Sequence, residues 1–515
     1  MCGFIFGYKK DNLDEDLQHH RGPDSRGIFE SQEKVLLFQR LAIMDLTSEG
    51  DQPFLYKKYA LVCNGEIYNF QELKKELDHD FQSESDCEVI IPTIEKYGIL
   101  NACQRLDGEF AFVALKDNKV LAARDPMGIR PLFYGRGKDG EVRFSSEMKS
   151  LIGICDKIYP FPPGHIYQDG EFKEFHSFLN KKTFKNNDKA ILNNIKILLE
   201  KGVEKRLNSD APLGFLLSGG LDSSLVCAIA QRKLKKPIKT FSVGIETNPI
   251  DTKYAREVAE YIGSDHKEYL FTEKDLKDNL ENVIYHLESW DITTIRASMG
   301  MYLICKFIKE NSDIKVLLTG EVSDELFGYK YTDFAPTGEE FQKEAEKRIK
   351  ELYLYDVLRA DRCIAAHSLE ARVPFSDKFF VDYVMEISPQ IKMNSTGIGK
   401  YLLRKAFEES EILPKSILYR EKAAFSDAVG HRAVDFLKEM AEEKYSDKVF
   451  QEKILKYEIK PLSKEALMYR EIFDKFFPNQ SHVIPNYWMP NKSWKNCDVN
   501  DPSARVLPNY GKSGK

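Results

Sequence analysis

The chain has 515 residues, 42% hydrophobic and 30% charged, with a formal net charge of −6 at pH 7. This composition predicts a globular protein of two or three domains, and the mildly acidic balance argues against a nucleic-acid partner. No apolar run approaches the roughly 18 residues that span a bilayer, so no membrane partner is expected. The nine cysteines are scattered without zinc-type spacing or CxxC pairs, which is typical of a reduced, cytoplasmic protein.

The chain opens with Met-Cys-Gly. If Met1 is removed, Cys2 carries a thiol beside a free α-amine, whose ordinary pKa of about 7.7–8.0 leaves much of it neutral near pH 7. A neutral amine beside a nucleophile is a ready general base, as in N-terminal threonine nucleophiles. The alternative is that the cysteine at this position has no function.

Residues 1 to 178 are predicted to be mainly strands with two short helices. The strand-like runs, separated by Gly, Asp and Asn turns, are residues 34–45, 59–70, 108–125 and 142–147. The helical stretches are residues 70–78 and 85–98. Together they predict an α+β sandwich.

A polar, basic stretch at 180–189 is interpreted as a linker. After it, short apolar strands alternate with helices, which predicts an α/β domain with a parallel sheet. The pattern is largely helical from about 338, and the Asn-, Pro- and Lys-rich tail is expected to be loose. The predicted units are residues 2–180, residues 190–478 and the tail 479–515.

The sharpest motif is Ser-Gly-Gly-Leu-Asp-Ser-Ser at 218–224, between a short apolar strand and a helix. Glycines let a ligand approach the backbone, and N–H groups at a helix start attract phosphate. Asp222 would repel phosphate unless Mg²⁺ lies between them, which is the usual arrangement. The alternative is a plain glycine turn with a serine cap. The strand–turn–helix setting favours a phosphate site.

A second acidic cluster follows another predicted strand. Glu321, Asp324 and Glu325 lie at its C-terminal end, where open α/β sheets bind ligands. They predict a second Mg²⁺ site or a catalytic carboxylate, with a solvated acidic turn as the alternative. Lys422 is a candidate for neutralising developing phosphate charge, with an ordinary surface lysine as the alternative.

The first half also holds the groups that an amide-hydrolysing thiol needs. Asn64 and the backbone N–H of Gly65 are two candidate donors for an oxyanion hole. Arg40 suits a substrate α-carboxylate through its two-pronged guanidinium, and Glu66 and Asp86 suit an α-ammonium. Each residue alone has an ordinary structural explanation, but the set together with Cys2 is harder to explain in that way.

Several motifs resemble known families. The 218–224 loop resembles the pyrophosphate loop of the ATP pyrophosphatases, and "MCG", "HRGPD", "NGEIYN" and "RDPMGIRPLF" resemble the glutaminase domain of class II, N-terminal-nucleophile amidotransferases. With "DITTIRAS", "LYLYDVLRADR", "EARVPF" and "DPSAR", the resemblance to glutamine-hydrolysing asparagine synthetases extends over nearly the whole chain. It implies an αββα glutaminase sandwich followed by an α/β parallel-sheet synthetase domain with a helical C-terminal part.

The resemblance also implies the site residues. The glutamine site would comprise Cys2 with Arg40, Leu41, Ala42, Ile43, Met44, Asn64, Gly65, Glu66 and Asp86. The ATP site would comprise Leu216, Ser218, Gly219, Gly220, Leu221, Asp222, Ser223, Ser224, Val243, Thr319 and Gly320. The aspartate site would comprise Thr293, Thr294, Arg296, Asp356 and Arg359, with Glu321 and Lys422 as catalytic residues and Asp222 and Asp324 as Mg²⁺ ligands.

The implied reaction is ATP-dependent synthesis of asparagine from aspartate through β-aspartyl-AMP. Ammonia released from glutamine would reach the second site through an internal tunnel, and a homodimer is expected. Two alternatives stay open: the same architecture with a different acceptor, and a non-catalytic descendant that only binds nucleotide.

The chain departs from the family pattern near the acidic cluster. The usual SGEGSDE is TGEVSDE here, so that Val322 replaces a glycine, and Ala423 replaces a carboxylate after Lys422. If residue 322 has a positive φ, valine there is strained by about 1–3 kcal/mol.

Overall fold

The computed structural model describes residues 1–184, 188–247, 249–394, 396–421 and 430–511. The strands of its first part are β1 (Gly3–Tyr8), β2 (Ser25–Glu30), β3 (Lys34–Arg40), β4 (Phe54–Tyr56), β5 (Tyr59–Ile67), β6 (Gly108–Lys116), β7 (Lys119–Arg124), β8 (Phe133–Arg136), β9 (Val142–Ser145), β10 (Ile158–Pro160), β11 (His165–Gln168) and β12 (Glu171–Glu174). They form two antiparallel six-stranded sheets, ordered β10-β8-β9-β1-β3-β2 and β12-β11-β7-β6-β5-β4.

The two sheets pack face to face, and side-chain alternation decides which residues lie between them. In β5, Ala60 and Val62 belong to the core between the sheets, whereas Leu61 and Cys63 pack on the other side. That outer side is covered by the helices α1 (Phe70–Glu76), α2 (Ile90–Tyr97) and α3 (Ile99–Arg105). The predicted α+β sandwich is confirmed.

The second part is built on a parallel five-stranded sheet, ordered β15-β14-β13-β16-β17. Its strands are β13 (Leu213–Leu216), β14 (Lys239–Ile245), β15 (Asp265–Phe271), β16 (Val316–Leu318) and β17 (Glu370–Arg372). The helices among them are α4 (Asp188–Lys205), α5 (Leu221–Leu234), α6 (Asp251–Ile262), α7 (Glu273–Leu287), α8 (Ile292–Asn311), α9 (Ser323–Phe327), α10 (Gly338–Glu351) and α11 (Asp356–Ala365). This confirms the predicted α/β domain.

The C-terminal part is helical, as predicted. Its helices are α12 (Lys378–Glu386), α13 (Pro389–Lys392), α14 (Tyr401–Glu408), α15 (Lys415–Leu418), α16 (His431–Lys444), α17 (Asp447–Ile454) and α18 (Lys464–Phe476). Among the described residues, no helix is long and apolar enough to cross a membrane.

The strand order positions the second site. The chain runs from β13 outward through β14 and β15, and β16 then returns to the other side of β13. The order therefore reverses between β13 and β16, and open parallel sheets bind ligands beyond the carboxyl ends of strands at such a point. The 218–224 loop and the 321–325 cluster follow these two strands directly.

The two parts share buried apolar clusters. Leu41 and Ile43 of the first part pack in one cluster with Phe215 of β13, and Met1 and Met148 pack in another with residues of α7 and α8. Both candidate sites border this common interior.

The expectation of a loose tail is wrong for residues 479–511. Trp494, Cys497 and Leu507 are buried in one cluster with Tyr331 and Phe341 of the second part. Asn, Pro and Lys content predicts disorder only when no apolar anchors are present, and here three anchors lie within fourteen residues.

Candidate active sites

Cys2 lies immediately before β1, at one end of the sheet sandwich. Its thiol is partly exposed and is 3.7 Å from the carbonyl oxygen of Leu41, while Arg21 Nε donates to the Cys2 carbonyl at 2.9 Å. Burial raises the pKa of the Cys2 thiol to about 11, and the nearby amino group of Met1 opposes that rise. The thiol therefore needs a base before it can act as a nucleophile.

Asn64 and Gly65 follow one another in β5. The Asn64 amide is fully buried, and both its nitrogen and its oxygen lack a hydrogen-bond partner within the described part of the chain. A Cβ on residue 65 would lie 2.5 Å from the Glu109 carbonyl oxygen, so the close pairing of β5 and β6 requires glycine. A buried amide without a partner is costly unless a ligand uses it, which suits an oxyanion donor.

The guanidinium of Arg40 is already engaged by its own loop. One terminal nitrogen donates to the carbonyl of Thr47 at 2.6 Å and to Asp51 at 2.8 Å, and the other donates to the carbonyls of Met44 and Asp45. Arg40 therefore holds the loop that follows residues 41–44. The sequence analysis had assigned this guanidinium to a substrate carboxylate, but both of its terminal nitrogens are bonded to the loop.

Glu66 and Asp86 both lie buried beside the same part of β5. Asp86 accepts a hydrogen bond from the Ile67 N–H at 2.5 Å, and burial raises the Asp86 pKa to about 6. Glu66 is 2.9 Å from the Arg372 guanidinium, which belongs to β17 of the second part. Burial raises the Glu66 pKa, and Arg372 opposes that rise. The pairing with Arg372 was not predictable from local sequence.

Arg372 also contacts the second candidate site. Its carbonyl oxygen accepts a hydrogen bond from the Thr319 N–H at 3.0 Å. Thr319 follows β16 and lines the cavity of the second part. One residue of β17 thus contacts a predicted glutamine-binding side chain and a predicted nucleotide-binding backbone.

The 218–224 loop has the predicted strand–turn–helix form. Gly219 has φ +69°, and a Cβ there would lie 2.4 Å from the Tyr254 backbone, so glycine is required. The hydroxyls of Ser218 and Ser223 are 2.9 Å apart, and Gly220 caps α5 without a side-chain bond. The N–H groups at the start of α5 therefore face the cavity side of the loop.

One cavity of about 230 Å³ collects most of the predicted second-site residues. It is lined by Leu216, Ser218, Gly220, Leu221, Asp222, Ser223, Val243, Thr293, Arg296, Thr319, Gly320, Glu321, Asp324, Asp356 and Arg359. Of the predicted second-site residues that the structure describes, three do not line it: Gly219, Ser224 and Thr294. Thr294 instead donates through its hydroxyl to Asp291 at 2.7 Å, and Asp291 is the N-cap of α8.

A lysine that the sequence analysis missed joins the two predicted Mg²⁺ ligands. Lys400 Nζ lies 2.7 Å from Asp222 and 2.7 Å from Asp324, and it also donates to Ser323 at 3.1 Å. Two carboxylates therefore converge on one cation position beside the loop. No local motif marks Lys400, which precedes an ordinary amphipathic helix.

Glu321 faces a cation in the same cavity. Arg359 lies 3.3 Å from Glu321 and 3.2 Å from Asp356. Burial raises the pKa of Glu325 to about 8, with Asp356 and Asp324 adding to the rise. Among the described residues, eight carboxylates and six basic side chains line the cavity, so carboxylates are in excess.

Val322 has φ +79° and is buried. Residue 322 therefore has the positive φ at which valine is expected to be strained. This backbone conformation favours glycine. Lys422 and Ala423 lie outside the described residues.

Arg296 lines the cavity but is paired with two carboxylates. Nε and Nη2 of Arg296 donate hydrogen bonds to Glu465 of α18 at 2.8 and 2.6 Å. Nη1 and Nη2 donate to Asp501 of the tail at 2.8 and 3.1 Å. The tail therefore closes on the predicted aspartate site.

The fold and the two sites define a class. The chain carries a partly exposed thiol on a two-sheet sandwich and a glycine-rich loop at the switch point of a parallel sheet, so it combines an amidotransferase with a nucleotide-dependent synthetase.

Comparisons with known proteins specify that class. A glutamine amidotransferase domain model matches residues 1–208, and an asparagine synthase model matches residues 194–338 and 333–504. The glutamine-hydrolysing asparagine synthetase of Zea mays is 42% identical over 95% of this chain and 89% of that protein. Those of Oryza sativa subsp. japonica and Gallus gallus are 46% and 40% identical, over 90% and 95% of this chain and 81% and 94% of those proteins.

The chain belongs to the family of glutamine-hydrolysing asparagine synthetases. It is an ATP-dependent ligase that makes asparagine from aspartate, with glutamine as the amide donor. A different acceptor and a non-catalytic descendant find no support in these comparisons.

Proposed function

We propose that Cys2, freed of Met1, attacks the amide carbon of glutamine. Its own α-amine takes the thiol proton, and Asn64 and Gly65 stabilise the oxyanion. The α-ammonium then returns that proton to the departing nitrogen, which leaves as ammonia with formation of a thioester. Water then cleaves the thioester to release glutamate. The unpaired Asn64 amide supports this assignment.

In the glutamine site, Glu66 and Asp86 hold the substrate α-ammonium. Arg40 acts by shaping the segment from Leu41 to Met44, in keeping with its bonds to the following loop. The segment's own backbone groups then face the substrate.

In the second site, ATP binds on the 218–224 loop, with Leu216, Val243, Thr319 and Gly320 beside the nucleotide. The β-carboxylate of aspartate attacks the α-phosphorus, and pyrophosphate leaves. Ammonia then attacks the activated carbonyl of β-aspartyl-AMP, and AMP leaves with formation of the C–N bond. Lys400 and the start of α5 stabilise the phosphate charge.

Asp222 and Asp324 would hold Mg²⁺ that arrives with ATP. Magnesium at nucleotide sites is usually held by one or two carboxylates plus phosphate oxygens, and these two carboxylates already converge on one cation position. When bound, the ion supplies positive charge to the pyrophosphate. Lys400 occupies that position here, so it and the ion would share the two carboxylates.

Thr293, Asp356 and Arg359 surround the aspartate, and Glu321 positions the reacting carbonyl or accepts the proton of ammonia. The role of Lys422 follows from the family resemblance alone. We assign residues 2–180 to the glutaminase domain and residues 190–478 to the synthetase domain.

Ammonia would pass through the interior that the two domains share. The apolar cluster containing Phe133, Met148 and Leu151 supports such a route, because neutral ammonia there gains no proton from water. We also propose that the protein forms a homodimer and is located in the cytoplasm.

The two-site assignment rests on the position of Arg372. Its guanidinium pairs with Glu66, and its carbonyl oxygen accepts a hydrogen bond from the Thr319 N–H. The test measures asparagine, glutamate, AMP and pyrophosphate with MgATP, aspartate and either glutamine or ammonium. Wild type should use both nitrogen sources, and Cys2→Ala should lose only the glutamine-driven reaction. Loss of both reactions in a folded Cys2→Ala variant, or of neither, would contradict the assignment.

A further inference from the structure

The tail residue Asp501 is paired with Arg296, a cation of the predicted aspartate site. Arg296 is on α8, three residues after Thr293, and both line the cavity. A guanidinium has five N–H groups, and the bonds to Glu465 and Asp501 use four of them. One N–H on Nη1 is left for a ligand in the cavity.

The two carboxylates hold Arg296 unequally. The side chain of Glu465 is 2% exposed and that of Asp501 is 23% exposed. Lys438 of α16 binds the second oxygen of Asp501 at 2.8 Å, so two carboxylates face two cations and the local charge is balanced. Burial tends to raise the pKa of Asp501, but its hydrogen bonds and charge contacts with Arg296 and Lys438 outweigh this and keep that pKa well below its usual range.

Asp501 also shapes the tail that borders the cavity. Its Oδ1 accepts a hydrogen bond from the Ser503 N–H at 2.8 Å, which forms a tight turn at Pro502. Pro502 and Ser503 both line the cavity. The same carboxylate therefore fixes a cavity wall and a cavity cation.

Two roles are possible for such a contact. A gate would have to leave whenever aspartate binds. The substrate carboxylate could then replace the bonds to Arg296, but the contact of Asp501 with Lys438 and its bond from the Ser503 N–H would be lost without replacement. A brace would stay in place and keep Arg296 and the turn oriented. The four short bonds and the balanced charge favour the brace.

We propose that Asp501 is a positioning residue for the acceptor site, holding Arg296 and the 501–503 turn so that aspartate binds productively. The proposal rests on the proposed function, because it takes the acceptor site to lie in this cavity.

The test uses the full chain with saturating MgATP and ammonium, and varies aspartate. Asp501→Asn should raise the KM for aspartate at least tenfold and lower kcat less than threefold. Glutamine hydrolysis measured separately should be unchanged, which reports an intact fold. Asp498→Asn is the matched control, since Asp498 is a mostly exposed tail aspartate with only a 4.0 Å contact to Lys492.

Lys438→Met is a second, milder variant that removes one partner of Asp501 and should raise the KM for aspartate two- to fivefold. Asp501→Glu should recover part of the affinity that Asp501→Asn loses. An unchanged or lowered KM in Asp501→Asn would overturn the proposal, and a lowered one would mean that the tail competes with aspartate. A wild type that makes no asparagine would instead refute the proposed function, whatever the variants do.

Discussion

The ion pair between Glu66 and Arg372 makes the glutamine site depend on the synthetase domain. We predict that Arg372→Met weakens glutamine binding although residue 372 belongs to β17. In the wild type, the guanidinium opposes the rise of the Glu66 pKa that burial causes. Without it, Glu66 should be protonated at neutral pH and lose its attraction for an ammonium group.

The magnitude follows from the geometry. Two unit charges about 4 Å apart interact by about 4 kcal/mol at an effective dielectric constant of about 20. Removal of the cation therefore raises the Glu66 pKa further, because the effect of burial is then opposed less. A charge-assisted hydrogen bond contributes about 1.5–3 kcal/mol, so the KM for glutamine should rise about 10- to 150-fold.

The assay is steady-state glutamine hydrolysis between pH 6 and 9. In Arg372→Met, raising the pH should lower the KM for glutamine, because it ionises Glu66 again; in wild type the change should be smaller. Arg372→Lys keeps the charge and should be affected less.

Ammonium-dependent asparagine synthesis and the thermal midpoint show whether each variant is folded. A folded Arg372→Met enzyme with a wild-type KM for glutamine at pH 7 would refute this reasoning.

Three further predictions concern single side chains. Lys400→Met should lower AMP and pyrophosphate formation at least 100-fold, because Asp222 and Asp324 then repel each other and the phosphates; glutamine hydrolysis should persist, and Lys405→Met, at a partly exposed lysine on the helix that follows, is the control. Val322→Gly should be no less stable than Val322→Ala in urea unfolding, since relief of about 1–2 kcal/mol of left-handed strain offsets about 0.8 kcal/mol for the lost methyl group; a glycine variant weaker by more than about 1 kcal/mol would contradict this. Burial lowers the pKa of His367 to about 4, below its unfolded value of about 6.5, so only the unfolded chain binds this proton between these pH values. Stability should therefore fall by up to about 3 kcal/mol as the pH drops from 6.5 to 4, and urea midpoints of His367→Gln should show a smaller fall.

The local features of both sites could be predicted from the sequence. The 218–224 loop needs a strand, two glycines and a helix in succession, and all are contiguous in the chain. The same holds for Asn64 and Gly65 on one strand and for the carboxylates after β16. Short-range turn chemistry and strand alternation act over a few residues, so the pattern itself carries them.

Only the tertiary structure decided which charged partner each of these residues has. Lys400 meets Asp222 across 178 positions of sequence, and Asp501 meets Arg296 across 205. Arg40 has the right chemistry for a substrate carboxylate, yet its own loop uses both terminal nitrogens. A charged side chain finds its partner by burial and packing of distant segments, because a buried charge without a counter-charge is too costly to persist. Local sequence specifies each charge but not the chain segment that neutralises it.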